Sequence, residues 1–276
     1  MKIGISTYAF FWKFHSVEPE AKPLLSLVEM LEETKKLGGE VFQICDYSPL
    51  ENMSEQEREE VARTAQRLGL ELELGTRGVY PDHLKQYLEY CRLFKARVLR
   101  TMINDRRHTP TIEQAASWIQ EVLPMFEEAG VSIALENYEQ VKTQDLLALI
   151  RRIDHPNVGI CLDPGNSVAA LEMPEQVIER LAPYAVNLHV KDFVFTRRDG
   201  WVGFSYTGCP LGEGLLDLDF MLRSLHQAGR NPNAVIELWL PFTESMERTN
   251  ELENEWIRKS MNHLRQAIRE EPKTMR

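Results

Sequence analysis

Short apolar runs alternate with longer segments of helical periodicity along the chain. The runs are KIGISTY at 2–8, EVFQICDY at 40–47, LELELG at 70–75, ARVLRTM at 96–102, VSIALEN at 131–137, NVGICLD at 157–163, AVNLHVKD at 185–192 and AVIELWL at 234–240. Several are nearly continuous rather than alternating, as expected of strands covered on both faces by helices. Between and after them the periodicity predicts helices near 23–37, 54–68, 82–95, 110–129, 142–153, 174–182, 217–228 and 245–269. Ser54 followed by Glu57 reads as a capping box, Thr109-Pro110 as an N-cap with a first-turn proline, and Gly69, Gly130 and Gly229 as helix ends. Eight strand–helix repeats without a Gly/Ser-rich linker predict one α/β domain over residues 1–276, a single (β/α)8 TIM barrel rather than an open sheet. The longest strand-to-helix connection, Asp192 to Gly214, is the expected substrate cover.

Composition narrows the chemistry. The 42 acidic against 32 basic residues leave a formal charge of −10, which disfavours general phosphate-backbone binding, so no nucleic-acid partner is expected. Cys45, Cys91, Cys161 and Cys209 lack the close spacing of a metal finger or disulfide framework, and Cys45 and Cys161 read as buried thiols. KIGISTY begins the chain without the features of a secretion signal, and no apolar run reaches membrane-spanning length. The expectation is a reduced, soluble, cytoplasmic protein with no membrane partner.

A barrel gives the strand ends a common direction, because the C-terminal ends of its strands open on one face. Glu136, Asp163, His189 and Glu237 lie at or near the ends of the fifth to eighth runs. Three carboxylates and an imidazole suit a divalent metal; the alternative is a set of ordinary barrel-end polar residues. Asp163, within VGICLDPGNSV, is either a turn acid or a ligand held at a strand end.

The segments ALENY, GICLDPGNS, NLHVKD and VIELW carry a resemblance to the xylose-isomerase-like TIM barrels of the sugar isomerase and ketose epimerase superfamily, and it extends over essentially the whole chain. The turn Leu211–Gly214 followed by Asp217 also resembles that family's entry to the seventh helix. The resemblance implies one Mn2+ (Mg2+ or Co2+ being alternatives) on Glu136, Asp163, His189 and Glu237, with Glu136 and Glu237 as the proton-transfer groups of an enediolate-type isomerisation or epimerisation. Two positions depart from the epimerase pattern: Asn166 stands where a substrate-binding histidine is common, and Phe195 where an arginine is common, with Arg197 and Arg198 nearby. An abasic-site endonuclease branch of the superfamily needs more histidines than the early strand ends ICDY, LGTR and TMIND supply.

Other residues carry two readings each. Asn166 binds substrate through its amide or starts a helix; Lys191 binds a substrate oxygen or aids proton transfer, or else faces solvent; Arg100 binds a carboxylate or hydroxyl, or forms a rim ion pair. Asp192 orients metal-site hydrogen bonds from a second layer or caps its strand, and Glu73 is a weaker candidate for the pocket. Trp12 and Trp239 are expected against substrate, within a wall that also draws on Tyr8, Phe10, Phe11, Phe14, Trp201, Phe204 and Tyr206. His15 and His108 are weak catalytic candidates, and no phosphate-binding Gly loop or nucleophilic set around Ser167 is evident. The leading functional expectation is a metal-dependent isomerase or epimerase acting on a sugar, keto-sugar or related polyol. The alternatives are a dehydratase or lyase acting on an inosose, keto-sugar or 3-keto-glycoside, and a noncatalytic carbohydrate-binding barrel. Exposed aromatics make a homo-oligomer a further expectation.

Overall fold

In the computed structural model the described residues are 1–15 and 23–270, without the side chain of Trp201, so the expected contribution of that tryptophan to the substrate wall lies outside them. Eight parallel strands close a barrel: β1 (Ile3–Ser6), β2 (Val41–Cys45), β3 (Glu71–Gly75), β4 (Val98–Thr101), β5 (Ser132–Glu136), β6 (Val158–Leu162), β7 (Ala185–Val190) and, after a hairpin of β8 (Asp192–Arg197) with β9 (Phe204–Cys209), β10 (Ala234–Ile236). β10 returns beside β1 and closes the ring. This is the (β/α)8 architecture that the strand–helix rhythm predicts, each strand lying inside its apolar run.

The helices begin where local chemistry satisfies their first N–H groups. Ser54 and Glu57 form the expected capping box of the helix Glu55–Leu68, and Gly69 ends it in the left-handed region at φ +64°. A second box, Ser26 with Glu29, starts Leu27–Lys36. The expected Thr109-Pro110 start is corrected by two residues: Thr111 caps Ile112–Ala129 and pairs reciprocally with Gln114. A threonine with a glutamine three residues on satisfies two orphan N–H groups, whereas Thr109 lacks such a partner.

Three pieces of the mouth are not apparent from periodicity. The aromatic stretch after β1 forms a 3-10 turn, Thr7–Phe10, and a single helical turn, Phe11–Phe14. The turn after β6 becomes a short helix, Pro164–Ala169, with Asp163 as its N-cap. The long connection after β7 is the antiparallel β8–β9 hairpin rather than an irregular loop. Tyr206 on β9 donates to Gly165 O at 2.6 Å and sets its ring edge-on to Trp239, which holds the hairpin over the β6 and β10 ends.

The barrel interior is partly polar. TIM barrels usually fill this space with layers of branched apolar side chains; here Gln43, Glu73, Asn187 and His189 are all fully buried.

Candidate metal centre

Parallel register carries the fifth to eighth barrel strands to a shared depth. Glu136 pairs with Cys161, two residues before Asp163 on β6, and Glu237 N donates to Val190 O just past His189. Glu136, Asp163, His189 and Glu237 are consequently all buried at the barrel mouth, between 0 and 3% exposed. His189 Nδ1 lies 3.6 Å from Glu136 Oε1, 3.7 Å from Asp163 Oδ2 and 3.5 Å from Glu237 Oε2. It has no hydrogen-bond partner among the described residues. A buried imidazole nitrogen facing three carboxylate oxygens offers the donor types of a divalent-cation site.

Among the described residues, the buried groups whose ligand atoms all lie within 4.8 Å of one another are Cys45 with His189 and Glu237, and Cys161 with Glu136 and His189; Asp163 is in neither. Burial pushes the Cys161 thiol up to about 12 and raises Cys45 well above its ordinary value. The carboxylates are therefore the better ligands for a hard cation, since a thiol must lose its proton to coordinate.

The other ring nitrogen, His189 Nε2, is 2.8 Å from Gln43 Oε1. An amide oxygen can only accept, so Nε2 carries a proton and Nδ1 is the nitrogen turned toward the three carboxylates.

Positive groups surround the carboxylates. Arg100 donates through Nε to Glu136 Oε2, and through Nη1 to Asp46 Oδ1 at 3.1 Å and Thr76 O at 2.8 Å. Burial raises the Glu136 pKa, but Arg100 and then His189 outweigh it and hold the carboxyl well below the usual carboxylate range. Lys191 Nζ sits 2.7 Å from Asp163 Oδ2 and 3.2 Å from Glu237 Oε2, over the Trp239 ring at 4.0 Å. Burial opposes its charge, yet Asp163 and Glu237 lift Lys191 above the ordinary lysine value. Lys191 is thus inside the cluster and not on the solvent face. Arg100 takes its ion-pair alternative, because the guanidinium is sealed against Glu136 and Asp46 rather than presented to a ligand.

Asn166 takes its helix-start alternative, and its amide is given to the protein rather than presented to a ligand. Its backbone N–H donates to Asp163 Oδ1 at 3.3 Å, starting the short helix, while Nδ2 donates to Glu136 Oε1 at 2.7 Å and to Asn137 O at 3.1 Å. Asp192 is a correction to the expected metal-site role. Its Oδ1 accepts from Phe193 N and Leu216 N, and its Oδ2 from Gly212 N and Gly214 N, at 2.8–3.0 Å. Four backbone donors use up the carboxylate in holding the 211–216 turn. A Cβ on Gly214 would fall 2.2 Å from Asp192 Oδ1, so the turn needs glycine there.

Trp12 is also corrected. Its indole Nε1 donates to Leu240 O and its backbone N–H to Glu253 Oε1, both at 2.8 Å, which ties the β1 connection to the C-terminal helix. Phe11 takes the wall position instead: with Tyr8, Leu238, Trp239, Leu240 and Glu253 it lines a cavity of about 230 Å3 beside the cluster. None of the four candidate ligands lines this cavity, which meets the cluster through Trp239 under Lys191; a larger groove of about 440 Å3, along Arg63, Gln66, Phe94 and Lys95, has no such link. Phe195 is half exposed and packs on Tyr206, and Arg197 lies over the Phe204 ring, so the hairpin arginines do not take the place of an epimerase arginine in this cluster. His15 stacks on Phe11, His108 is bound to Asp105, and Ser167 donates to Pro164 O, so none of the three joins the cluster.

Sequence reasoning missed Gln43, Asn187, Asp46, Asn137 and Ser6. Asn137 brackets the Asp163 backbone, donating to its O at 2.6 Å and accepting from its N at 2.8 Å; Ser6 Oγ donates to Glu237 Oε1 at 3.1 Å. Polar residues inside the early apolar runs, such as the glutamine of VFQIC, were the available signal.

Residues 31–267 match the family model described as a xylose isomerase-like TIM barrel. The chain is 50% identical over 264 residues to a 3-oxo-isoapionate decarboxylase of Pectobacterium atrosepticum, covering 96% of this chain and 95% of the relative. A D-psicose 3-epimerase structure from Clostridium cellulolyticum superposes with a TM-score of 0.73 at 17% identity, over 98% and 99% of the two chains. A xylose isomerase-like barrel from Mycobacterium smegmatis in complex with magnesium gives 0.67 at 18%, over 95% and 97%. Among the described residues no helix is long and apolar enough to cross a membrane. With its closed barrel, its buried candidate metal cluster and a relative half identical along nearly its full length, the chain is a catalytic barrel that belongs to the xylose-isomerase-like TIM-barrel family.

Proposed function

We propose that the chain is a divalent-metal-dependent lyase that decarboxylates a small 3-oxo sugar acid. This belongs to the lyase class of the alternative reading, with a 3-oxo acid in place of the inosose, keto-sugar or 3-keto-glycoside expected there, and it takes precedence over isomerisation or epimerisation and over a noncatalytic barrel. The half-identical decarboxylase supports the reaction class. The observation that carries it is the state of Glu136: Arg100 occupies Oε2 and Asn166 occupies Oε1. A two-base epimerase needs a carboxylate basic enough to take a C–H proton, and the Arg100 pairing holds Glu136 well below the usual carboxylate range while each of its oxygens keeps a lone pair for a cation. Decarboxylation removes that requirement, because the departing carboxylate leaves its bonding electron pair behind.

Glu136, Asp163, His189 and Glu237 would hold the cation, Mn2+ suiting the mixed donor set best and Mg2+ or Co2+ being alternatives. When bound, the cation supplies Lewis acidity at the substrate's ketone oxygen. The bond between the carboxyl carbon and its neighbour breaks, CO2 leaves, and the electron pair moves toward the ketone to give an enolate. Lys191 Nζ, charged and 3.2 Å from Glu237, would return one proton to that carbon and be reprotonated from solvent. Tyr8, Phe11 and Trp239 wall a cavity of about 230 Å3, below the usual range for drug-sized ligands, which favours a short-chain substrate. Its apolar lining would exclude water from the reacting centre.

The test is a set of carboxyl-13C 3-oxo sugar acids and unlabelled ketoses incubated in D2O with Mn2+ and followed by NMR. Release of labelled CO2 with one solvent deuterium on the product is expected. Deuterium exchange and epimerisation of ketoses without CO2 release would return the reaction to the epimerase class.

A further inference from the structure

Glu73 is a carboxylate at 0% exposure in the barrel core, with no cation paired to it among the described residues. Burial raises its pKa, opposed by hydrogen bonds from Asn233, Asn187 and Gln43. Burying such a group costs several kcal/mol unless it is fully hydrogen-bonded. Its bonds are made entirely with side-chain amides: Asn187 Nδ2 at 2.7 Å and Gln43 Nε2 at 3.2 Å on Oε2, and Asn233 Nδ2 at 2.8 Å on Oε1. Nothing in the proposed reaction uses it directly.

We infer that Glu73 is a positioning residue for the metal centre: by accepting from Gln43 it turns the Gln43 oxygen toward His189 and so selects the ring nitrogen that faces the metal. The proton inventory runs in one direction. A carboxylate only accepts, so the amides around Glu73 present their NH2 groups to it. Gln43 Nε2 is shared between Glu73 Oε2 and Asn187 Oδ1, the latter at 2.9 Å. That leaves Gln43 Oε1 for His189 Nε2 at 2.8 Å, which must then be the protonated nitrogen. With a metal bound, Nδ1 would then be the coordinating nitrogen, facing the oxygens of Glu136, Asp163 and Glu237 at 3.5–3.7 Å. A reversed Gln43 amide would set its oxygen against the oxygens of Glu73 and Asn187 and offer NH2 to His189 Nε2, moving the ring proton to Nδ1 and blocking coordination. Gln43 and Glu73 are register partners on the neighbouring strands β2 and β3, whereas β7 lies three strands from β2 around the ring, so it is the closed barrel interior that brings His189 to the pair.

The inference rests on the metal-binding half of the proposed function and not on the reaction chosen. Mn2+ titration calorimetry on the whole protein is the test, with Glu73→Leu, Gln43→Leu and the exchanged pair Gln43→Glu/Glu73→Gln. Outer partners of metal-ligating histidines are worth about 10–100-fold in affinity. Each leucine variant should lose affinity in that range. The exchanged pair should recover most of it, because a carboxylate at 43 can only accept from His189 Nε2. Wild-type affinity in a folded Glu73→Leu, or no recovery in a folded exchanged pair, would overturn the relay while leaving the decarboxylase reading intact. Absence of Mn2+, Mg2+ and Co2+ binding to the wild type would overturn the metal centre itself. A second measurement does not depend on the variants folding. In 15N-histidine spectra of the Mg2+-loaded wild type, His189 should carry its proton on Nε2, and a proton on Nδ1 would overturn the inference.

Discussion

Arg100 and Glu136 form an ion pair sealed inside the barrel mouth, with side chains 2% and 1% exposed. The same guanidinium bonds Asp46, a non-glycine residue held at φ +47° at the end of β2. Removing one member of a buried pair leaves the other charge without compensation, at a cost of about 3–5 kcal/mol. Arg100→Leu should therefore lower unfolding free energy in urea by that amount. Arg77, which reaches Asp46 Oδ2 from a half-exposed position, should cost only about 1 kcal/mol when changed to alanine. Equal losses in the two variants would show that the Arg100 pair has no special structural weight.

Lys191 is the proposed proton donor, and its removal should separate binding from chemistry. Lys191→Met is expected to keep Mn2+ affinity within a few-fold while lowering kcat by about 100–10,000-fold, the range for loss of a positioned acid. Steady-state kinetics alongside calorimetry would decide it. Turnover at the wild-type rate would remove Lys191 from the mechanism.

Metal should also stabilise the fold by mass action. At a cation concentration about 100 times Kd the gain is roughly 2.7 kcal/mol, seen as a rise in Tm. Asp163→Asn takes a carboxylate out of the cluster and should abolish most of that rise, and EDTA should do the same to the wild type. An unchanged Mn2+-dependent Tm in Asp163→Asn would place the cation elsewhere.

Glu253 sets a pH dependence independent of the metal. Burial pushes its carboxyl from 4.5 up to about 7, outweighing Lys13, whose Nζ is 3.5 Å away, and the Trp12 N–H. The folded chain therefore holds this proton more tightly than the unfolded chain. The favourable contribution is complete below pH about 4.5 and is lost as pH rises through about 7. A shift of this size corresponds to roughly 3 kcal/mol. Glu253→Gln should remove that loss, so the stability difference between variant and wild type, measured in urea at pH 5 and pH 8, should move in the variant's favour at the higher pH. A difference independent of pH would refute the assignment.

The order of strands and helices was legible in the chain because apolar runs and periodic segments are local properties. Capping was legible for the same reason at Ser54, though at Thr109 the local pattern pointed two residues early. Glu136, Asp163, His189 and Glu237 could be singled out because each breaks an apolar run near its C-terminal end, and a barrel sends all such ends to one face. What each side chain does there was decided by tertiary contacts. Asn166 looked like a missing histidine, yet in the folded chain its amide holds Glu136; Asp192 looked like part of the metal site, yet backbone N–H groups take all of its acceptor capacity. Gln43, Glu73 and His189 lie 30 and 116 residues apart along the chain. Strand periodicity says only which residues point inward, and it is closure of the barrel that sets an inward glutamine from β2 against a histidine from β7.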